Sequence, residues 1–258
     1  MLVDTHAHLA WEDFADDLDA VLARAAEAGV GAIVTVGIDF ASSERCIALS
    51  ERHPTVFATV GLHPNDARRL TDAEWDRMEA LARHPRVVGI GETGLDFYRD
   101  SSAPELQRES FARQLDLAAK LAKPVVIHCR DAFAEVLETL RARPAPVPGV
   151  MHCFSGDETT LGDFLALGLH VSFAGPVTYP KSEGLRRAAA AAPADRIVVE
   201  TDCPFLAPQD RRGKRNEPAY VAMTARRIAM ARGISEAEFA RTTTENALRL
   251  FPGLALPA

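Results

Sequence analysis

The stretch "LVDTHAHLAWEDF", residues 2–14, decides the fold. It begins as a buried strand would, with Leu2 and Val3 ahead of a run of small and β-branched residues. At this point an open, doubly wound nucleotide-binding sheet would carry a Gly-rich phosphate turn. This chain carries His6 and His8 instead. Side chains at i and i+2 of an extended strand point to the same side. The two imidazoles would therefore stand together, a poor core element and a good pair of metal ligands. The plainer alternative is a mobile N-terminal tail that contains histidine. The rest of the chain decides between them.

Seven further apolar runs follow: "GAIVTVG" (31–37), "TVFATVGLH" (55–63), "RVVGIGE" (86–92), "PVVIH" (124–128), "PGVMH" (148–152), "LHVSFAG" (169–175) and "RIVVETD" (196–202). They are continuous rather than alternating, as strands buried on both faces are. Helical periodicity lies between them. Phe14, Leu18, Val21, Leu22 and Ala25 mark a helix over 11–29; Phe111, Leu115, Ala118 and Ala122 mark one over 105–122; Phe133, Val136, Leu137 and Leu140 mark one over 131–142. Thr71 with Glu74 and Ser235 with Glu238 have capping-box spacing. Strand and helix alternate through eight units in 258 residues. That predicts a single (β/α)8 TIM-type barrel over 1–258, with extra C-terminal helices near 217–231 and 235–250.

The chain is 47% hydrophobic and 25% charged with net charge -7, an ordinary globular composition. A protein that coats nucleic acid non-specifically is usually basic. Any nucleic-acid contact here must be a local basic patch on an acidic body. No apolar run reaches the ~18 residues of a membrane span, and the N-terminus lacks the pattern of a signal peptide. Cys46, Cys129, Cys153 and Cys203 show no CxxC spacing. These features point to a cytoplasmic protein in a reducing compartment, with no membrane association. No obligate protein partner is legible.

Active sites of parallel barrels lie at the C-terminal ends of the strands. Of eight histidines, His6, His8, His63, His128 and His152 fall at such ends, joined by Glu92 and Asp202. His53, His84 and His170 fall at the opposite rim. The first set divides into His6, His8 and Asp202 for one divalent ion and His128 and His152 for a second, with Glu92 placed to bridge. The competing interpretation is a metal-free buried polar network, which would leave several imidazoles short of partners. Cys129, Cys153 and Cys203 each follow a proposed ligand. By strand alternation they are expected to be small core residues facing away from the site.

The motifs "DTHAHL", "GLHP", "GETGLDFYR", "PVVIHCRDA", "HCFSG" and "ETDCPFLAPQDRRGKRNEP" occur in this order, with "TTENALRLF" near the end. The ordered set resembles the TatD family of metal-dependent hydrolases, amidohydrolase-like barrels, over almost the whole chain. The resemblance implies a divalent-metal-dependent hydrolase of phosphodiesters, a deoxyribonuclease of 3′–5′ exonuclease type acting on DNA or short oligonucleotides. It implies two divalent ions, Zn²⁺, Mg²⁺ or Mn²⁺, held by His6, His8, Glu92, His128, His152 and Asp202, with Glu92 bridging. His63 would be a substrate-side residue. Two positions depart from the pattern: Asn65 stands where many members have a second histidine, and Phe205 where tyrosine is common.

Two metals would activate a water for attack on phosphorus. Asp202 is then the expected proton acceptor and, with Glu92, the expected catalytic pair. Glu200 faces the same way and would orient a ligand or serve the barrel interior. Arg130 is a candidate phosphate contact, with a loop ion pair as its alternative. Arg211, Arg212, Lys214 and Arg215 form a basic loop on the catalytic rim, of which Arg212 and Lys214 are the expected substrate contacts. Two other classes compete: another ester hydrolase on the same metals, such as an aminoacyl-tRNA deacylase or lactonase, and a non-catalytic metal- or nucleic-acid-binding protein. Intact donors at all six positions weigh against the last, and the basic loop weighs against a lactonase.

Overall fold

The computed structural model describes residues 1–99 and 101–257. Eight parallel strands pair in chain order: β1 (Leu2–Ala7), β2 (Val30–Val36), β3 (Val56–Val60), β4 (Val87–Asp96), β5 (Val125–Arg130), β6 (Gly149–Met151), β7 (His170–Phe173) and β8 (Ile197–Val199). The barrel closes just past the end of β8. There Asp202 N donates to His6 O at 2.9 Å, His8 N donates to Cys203 O at 2.8 Å, and Ala7 pairs with Cys203 in an isolated parallel bridge. Between the strands lie α1 (Leu18–Glu27), α2 (Phe40–Arg52), α3 (Asp72–Ala82), α4 (Pro104–Leu121), α5 (Phe133–Arg141), α6 (Glu158–Ala166) and α7 (Glu183–Ala191), and α8 (Val221–Arg232) completes the eighth unit. α9 (Glu236–Leu250) is one helix beyond the eightfold repeat.

Two apolar clusters result. The larger joins the outward strand faces to the helices, with Phe111, Leu115, Phe164 and Phe239 fully buried. The smaller gathers Val3, Val34, Phe57, Val88, Val126, Val150 and Val198 from seven strands against Ala247, Leu250, Phe251 and Leu254. The end of α9 thus plugs the N-terminal mouth of the barrel with hydrocarbon. Burying a side chain such as Phe251 contributes roughly 1.5–3 kcal/mol. The plugged mouth leaves the opposite end as the polar, accessible one.

Three local expectations change. The helix predicted over 11–29 begins only at Leu18, and residues Glu12–Phe14 form a single 3-10 turn. Phe14 keeps helical spacing to Leu18, yet it is buried as part of the loop after β1. Thr71 makes the full capping box with Glu74, whereas Ser235 caps α9 through Glu238 N. The fourth strand does not stop at Glu92 but runs to Asp96. Gly91 and Gly94 let it do so, at φ +144° and +136°. A Cβ at Gly94 would lie 2.0 Å from His128 O, and one at Gly91 2.6 Å from Val126 O, so β4 and β5 approach more closely than any side chain allows.

Candidate metal centre and catalytic rim

β1 delivers His6 and His8 side by side, their Nε2 atoms 3.3 Å apart. Both are buried. β4 delivers Glu92 into the midst of the histidines. Its Oε2 lies 3.4 Å from His6 Nε2 and 3.7 Å from His8 Nε2. Its Oε1 lies 2.8 Å from His128 Nδ1, 2.9 Å from His152 Nε2 and 3.5 Å from His63 Nε2. The two oxygens of one carboxylate therefore face two different sets of imidazoles. Asp202 closes the first set, with Oδ1 3.3 Å from His8 Nε2 and 3.6 Å from His6 Nε2. It lies three residues past the end of β8, at φ +55°, in the turn that closes the barrel.

The far ring nitrogens of the second set are held by further carboxylates. His152 Nδ1 lies 3.2 Å from Glu200 Oε1, which also accepts from Cys153 N at 2.7 Å. His128 Nε2 lies 3.3 Å from Asp96 Oδ2. Asp96 is itself fixed by the backbone N–H groups of Tyr98 and Arg99, both at 3.0 Å, and by Asn65 Nδ2 at 3.3 Å. Sequence reasoning missed Asp96 because it ended the strand at Glu92. The signal was present: Glu92, Gly94 and Asp96 alternate along β4 and share a side of the strand. His63, the expected substrate-side residue, also faces the centre, its Nε2 3.5 Å from Glu92 Oε1. Its Nδ1 accepts from Asn65 N at 3.0 Å, so in the neutral ring Nε2 carries the proton and faces Glu92 as a donor.

Burial would raise the Glu92 carboxyl, but His152, His63 and His128 outweigh it and hold it well below the usual range. Burial would lower His152, but Glu92 and Glu200 lift it well above the ordinary imidazole value. His6 is lowered by burial and then by His152. His8 and His128 are raised against burial by Asp202 and by Asp96 with Glu92, respectively. The set is thus polarised into buried opposite charges, which are costly to keep without tight partners. Three triads, His6/His152/Asp202, His6/His8/Glu92 and His63/Glu92/His128, each offer ligand atoms within 4.8 Å of one another. Mixed imidazole and carboxylate donors at this spacing fit a divalent ion of borderline softness.

The remaining candidates separate. Among the described residues Arg130 has no ion pair; it lies over the exposed Tyr98 ring, 3.7 Å from the centroid. Arg212 lies over Tyr179 at 4.6 Å. Arg215 is committed to structure, donating to Asp17 at 2.7 and 2.8 Å and to Asp13 O. Lys214 is exposed. Cys203 belongs to the larger core cluster and the half-buried Cys129 packs against it, as small core residues would. Cys153 lies beside the site: its backbone N–H donates to Glu200 Oε1 at 2.7 Å, and burial, with the charges of Asp202, Glu200 and Glu92, raises its thiol. β6 ends at Met151 and Cys153 has φ +45°, so strand alternation does not extend to it.

The family described as TatD related DNase matches residues 3–252. The metal-dependent hydrolase YabD of Bacillus subtilis is 40% identical over 97% of this chain and 99% of its own length. The 3′-5′ ssDNA/RNA exonuclease TatD of Enterobacter lignolyticus is 40% identical over 99% of this chain and all of its own. In three dimensions the chain superposes on YJJV, a TatD homolog from Escherichia coli K12, with TM-score 0.91 and 31% identity, covering 97% of this chain and 98% of that one. Barrel, convergent histidines and full-length similarity agree: the chain belongs to the TatD-related DNase family of metal-dependent hydrolases.

Proposed function

We propose that this protein hydrolyses phosphodiester bonds at the ends of single-stranded nucleic acid, using two divalent ions. One ion would be held by His6, His8 and Asp202, the other by His128 and His152, with Glu92 shared. The observation that carries this is the division of Glu92, one oxygen toward His6 and His8 and the other toward His128 and His152. The relatives named 3′-5′ ssDNA/RNA exonuclease support the substrate class. Divalent ions in such a set lower the pKa of a water and stabilise negative charge on phosphoryl oxygens.

The chain's own groups do the rest. Asp202 has a side chain 14% exposed, against 4% for Glu92, so it is the carboxylate within reach of solvent and takes the proton of the attacking water. Glu200 and Asp96 fix the rings of His152 and His128 from behind. His63 offers an N–H toward the same centre and would meet a phosphoryl oxygen. Arg130, Arg212 and Lys214 stand on the rim to hold the phosphate backbone beyond the scissile bond.

The test is metal analysis of the purified protein, then cleavage of end-labelled single- and double-stranded DNA and RNA with Mg²⁺, Mn²⁺ or Zn²⁺. We expect about two equivalents of metal at saturation and stepwise shortening of single strands. Activity confined to aminoacyl esters or lactones would replace this reading with the other hydrolase class.

A further inference from the structure

We propose that Trp11 and Phe205 form a stacking shelf for the nucleobase next to the scissile phosphate. Among the described residues the exposed large hydrophobic side chains are Met1, Tyr98, Phe205 and Met230. Of these, Phe205, 43% exposed, lies three residues beyond Asp202 in the turn after β8. Trp11 comes from the loop after β1. The two rings meet nearly at right angles, 86° between planes and 5.0 Å between centroids. Both abut His8, at 5.6 Å for Trp11 and 6.2 Å for Phe205. The shelf therefore begins one ring away from the proposed metal centre.

Its exposure is built in. Phe205 N donates to Asp202 O at 3.0 Å, and the buried Asn216 donates through Nδ2 to Phe205 O at 2.6 Å and to Thr201 O at 2.8 Å. The backbone that carries the phenyl ring is thus tied to the same turn that carries Asp202. Trp11 also lines a cavity of about 740 Å³, with Arg45 and Arg52 on its wall, so protein does not fully cover the indole. Flat apolar rings held at a fixed place beside a phosphodiester centre suit a base, because every base has a π-face and stacking tolerates any sequence. A double helix keeps its bases stacked on one another, so the shelf also favours a single strand.

This inference rests on the phosphodiesterase reading, and two measurements separate them. The first is cleavage of a single-stranded oligonucleotide and of the same strand with abasic residues at both ends. On the ordinary strand, Phe205→Ala should raise KM roughly 5- to 150-fold, and Phe205→Tyr should restore it. On the abasic strand, wild type and Phe205→Ala should match. An unchanged KM on the ordinary strand, or an equal loss on both strands, would overturn the shelf. The second needs no turnover. In a Trp75→Phe variant the one remaining indole is Trp11, because the chain has two tryptophans. A nucleoside monophosphate should quench its fluorescence and ribose 5-phosphate should not; no difference between them overturns the shelf. Selective quenching of the Trp75→Phe variant by nucleotide, with a wild type that cuts no strand, would instead overturn the phosphodiesterase reading and leave the shelf standing.

Discussion

The two ends of the barrel use the same residue for opposite purposes. At the C-terminal end, His6, His8, His63, His128 and His152 each place a ring nitrogen within 3.7 Å of the single carboxylate of Glu92. At the other end each histidine is on its own. His84 Nε2 meets Glu51 at 3.2 Å, His53 Nε2 meets Asp19 at 4.0 Å, and His170 is buried with no partner for its Nε2 among the described residues. The mouth beneath is filled by α9 with hydrocarbon, and among the described residues no shared acid collects these rings. Histidine becomes a candidate for chemistry here when several rings converge on one carboxylate. Burial alone, as at His170, does not make it one.

The largest expected effect attacks that convergence. Glu92→Ala should cost at least about 10³-fold in turnover, near 4 kcal/mol at 1.36 kcal/mol per decade, together with most of the bound metal. His84→Ala, at the other end, should stay within about 0.5 kcal/mol, as surface changes usually do. Steady-state rates and metal content of the two variants measure the contrast. Equal losses would erase the distinction between the ends.

Next in size is an acid effect at the plugged end. Burial, with help from Arg196 and Arg249, lowers His170 to about 4 from an ordinary value of 6.5. As pH falls, the unfolded chain takes up that proton first. Stability from this group is therefore complete above about pH 6.5 and is lost progressively as pH falls toward about 4. The full loss is about 3 kcal/mol at 1.36 kcal/mol per unit. His170→Gln should flatten the urea-midpoint profile over that window relative to wild type. Parallel profiles for the two proteins would show that His170 is not the group responsible.

A third, smaller effect concerns support behind the metal centre. Asp96→Asn keeps the shape but removes the charge that faces His128 Nε2. Removing such a partner typically costs 10–100-fold in metal affinity or activity. Calorimetric titration with Mn²⁺ should find one of two sites weakened and the other unchanged. Weakening of both alike would mean that Asp96 supports the fold of β4 rather than one ring.

The architecture was legible because parallel strands buried on both faces write themselves as unbroken apolar runs, and several of them are followed by a 3.6-residue period or a cap. The convergence of six donor positions was legible because strand ends in a closed barrel share one rim. What the sequence hid follows from local geometry. "GETGLD" does not look like a strand, since two glycines interrupt it, and so Asp96 escaped notice. Strand alternation does not reach Cys153, which lies past the last residue of β6 at φ +45°. Trp11 falls within a helical period that Phe14 imitates from a loop. What separates Arg215 from its neighbours in the loop is Asp17, 198 residues away in the chain, which no local pattern reveals.

That basic loop yields the smallest and most discriminating prediction. Arg215 and Lys214 are neighbours, yet Arg215 is neutralised by Asp17 from the start of α1 while Lys214 is exposed. If the loop holds a polynucleotide backbone, only cations not already paired can release counterions on binding. Removing one cation that holds a phosphate of a single strand should flatten the log KM against log salt slope by roughly 0.7. Lys214→Ala should show that change on an oligonucleotide, and Arg212→Ala with Lys214→Ala should show about twice as much. Neither should alter hydrolysis of a small chromogenic phosphodiester, which meets only the metal centre. Arg215→Ala should leave the slope alone and instead lower stability by at most about 1 kcal/mol, the range of a partly exposed ion pair. A slope change in Arg215→Ala as large as that in Lys214→Ala would show that the pair with Asp17 opens to admit phosphate, and that both residues serve the substrate.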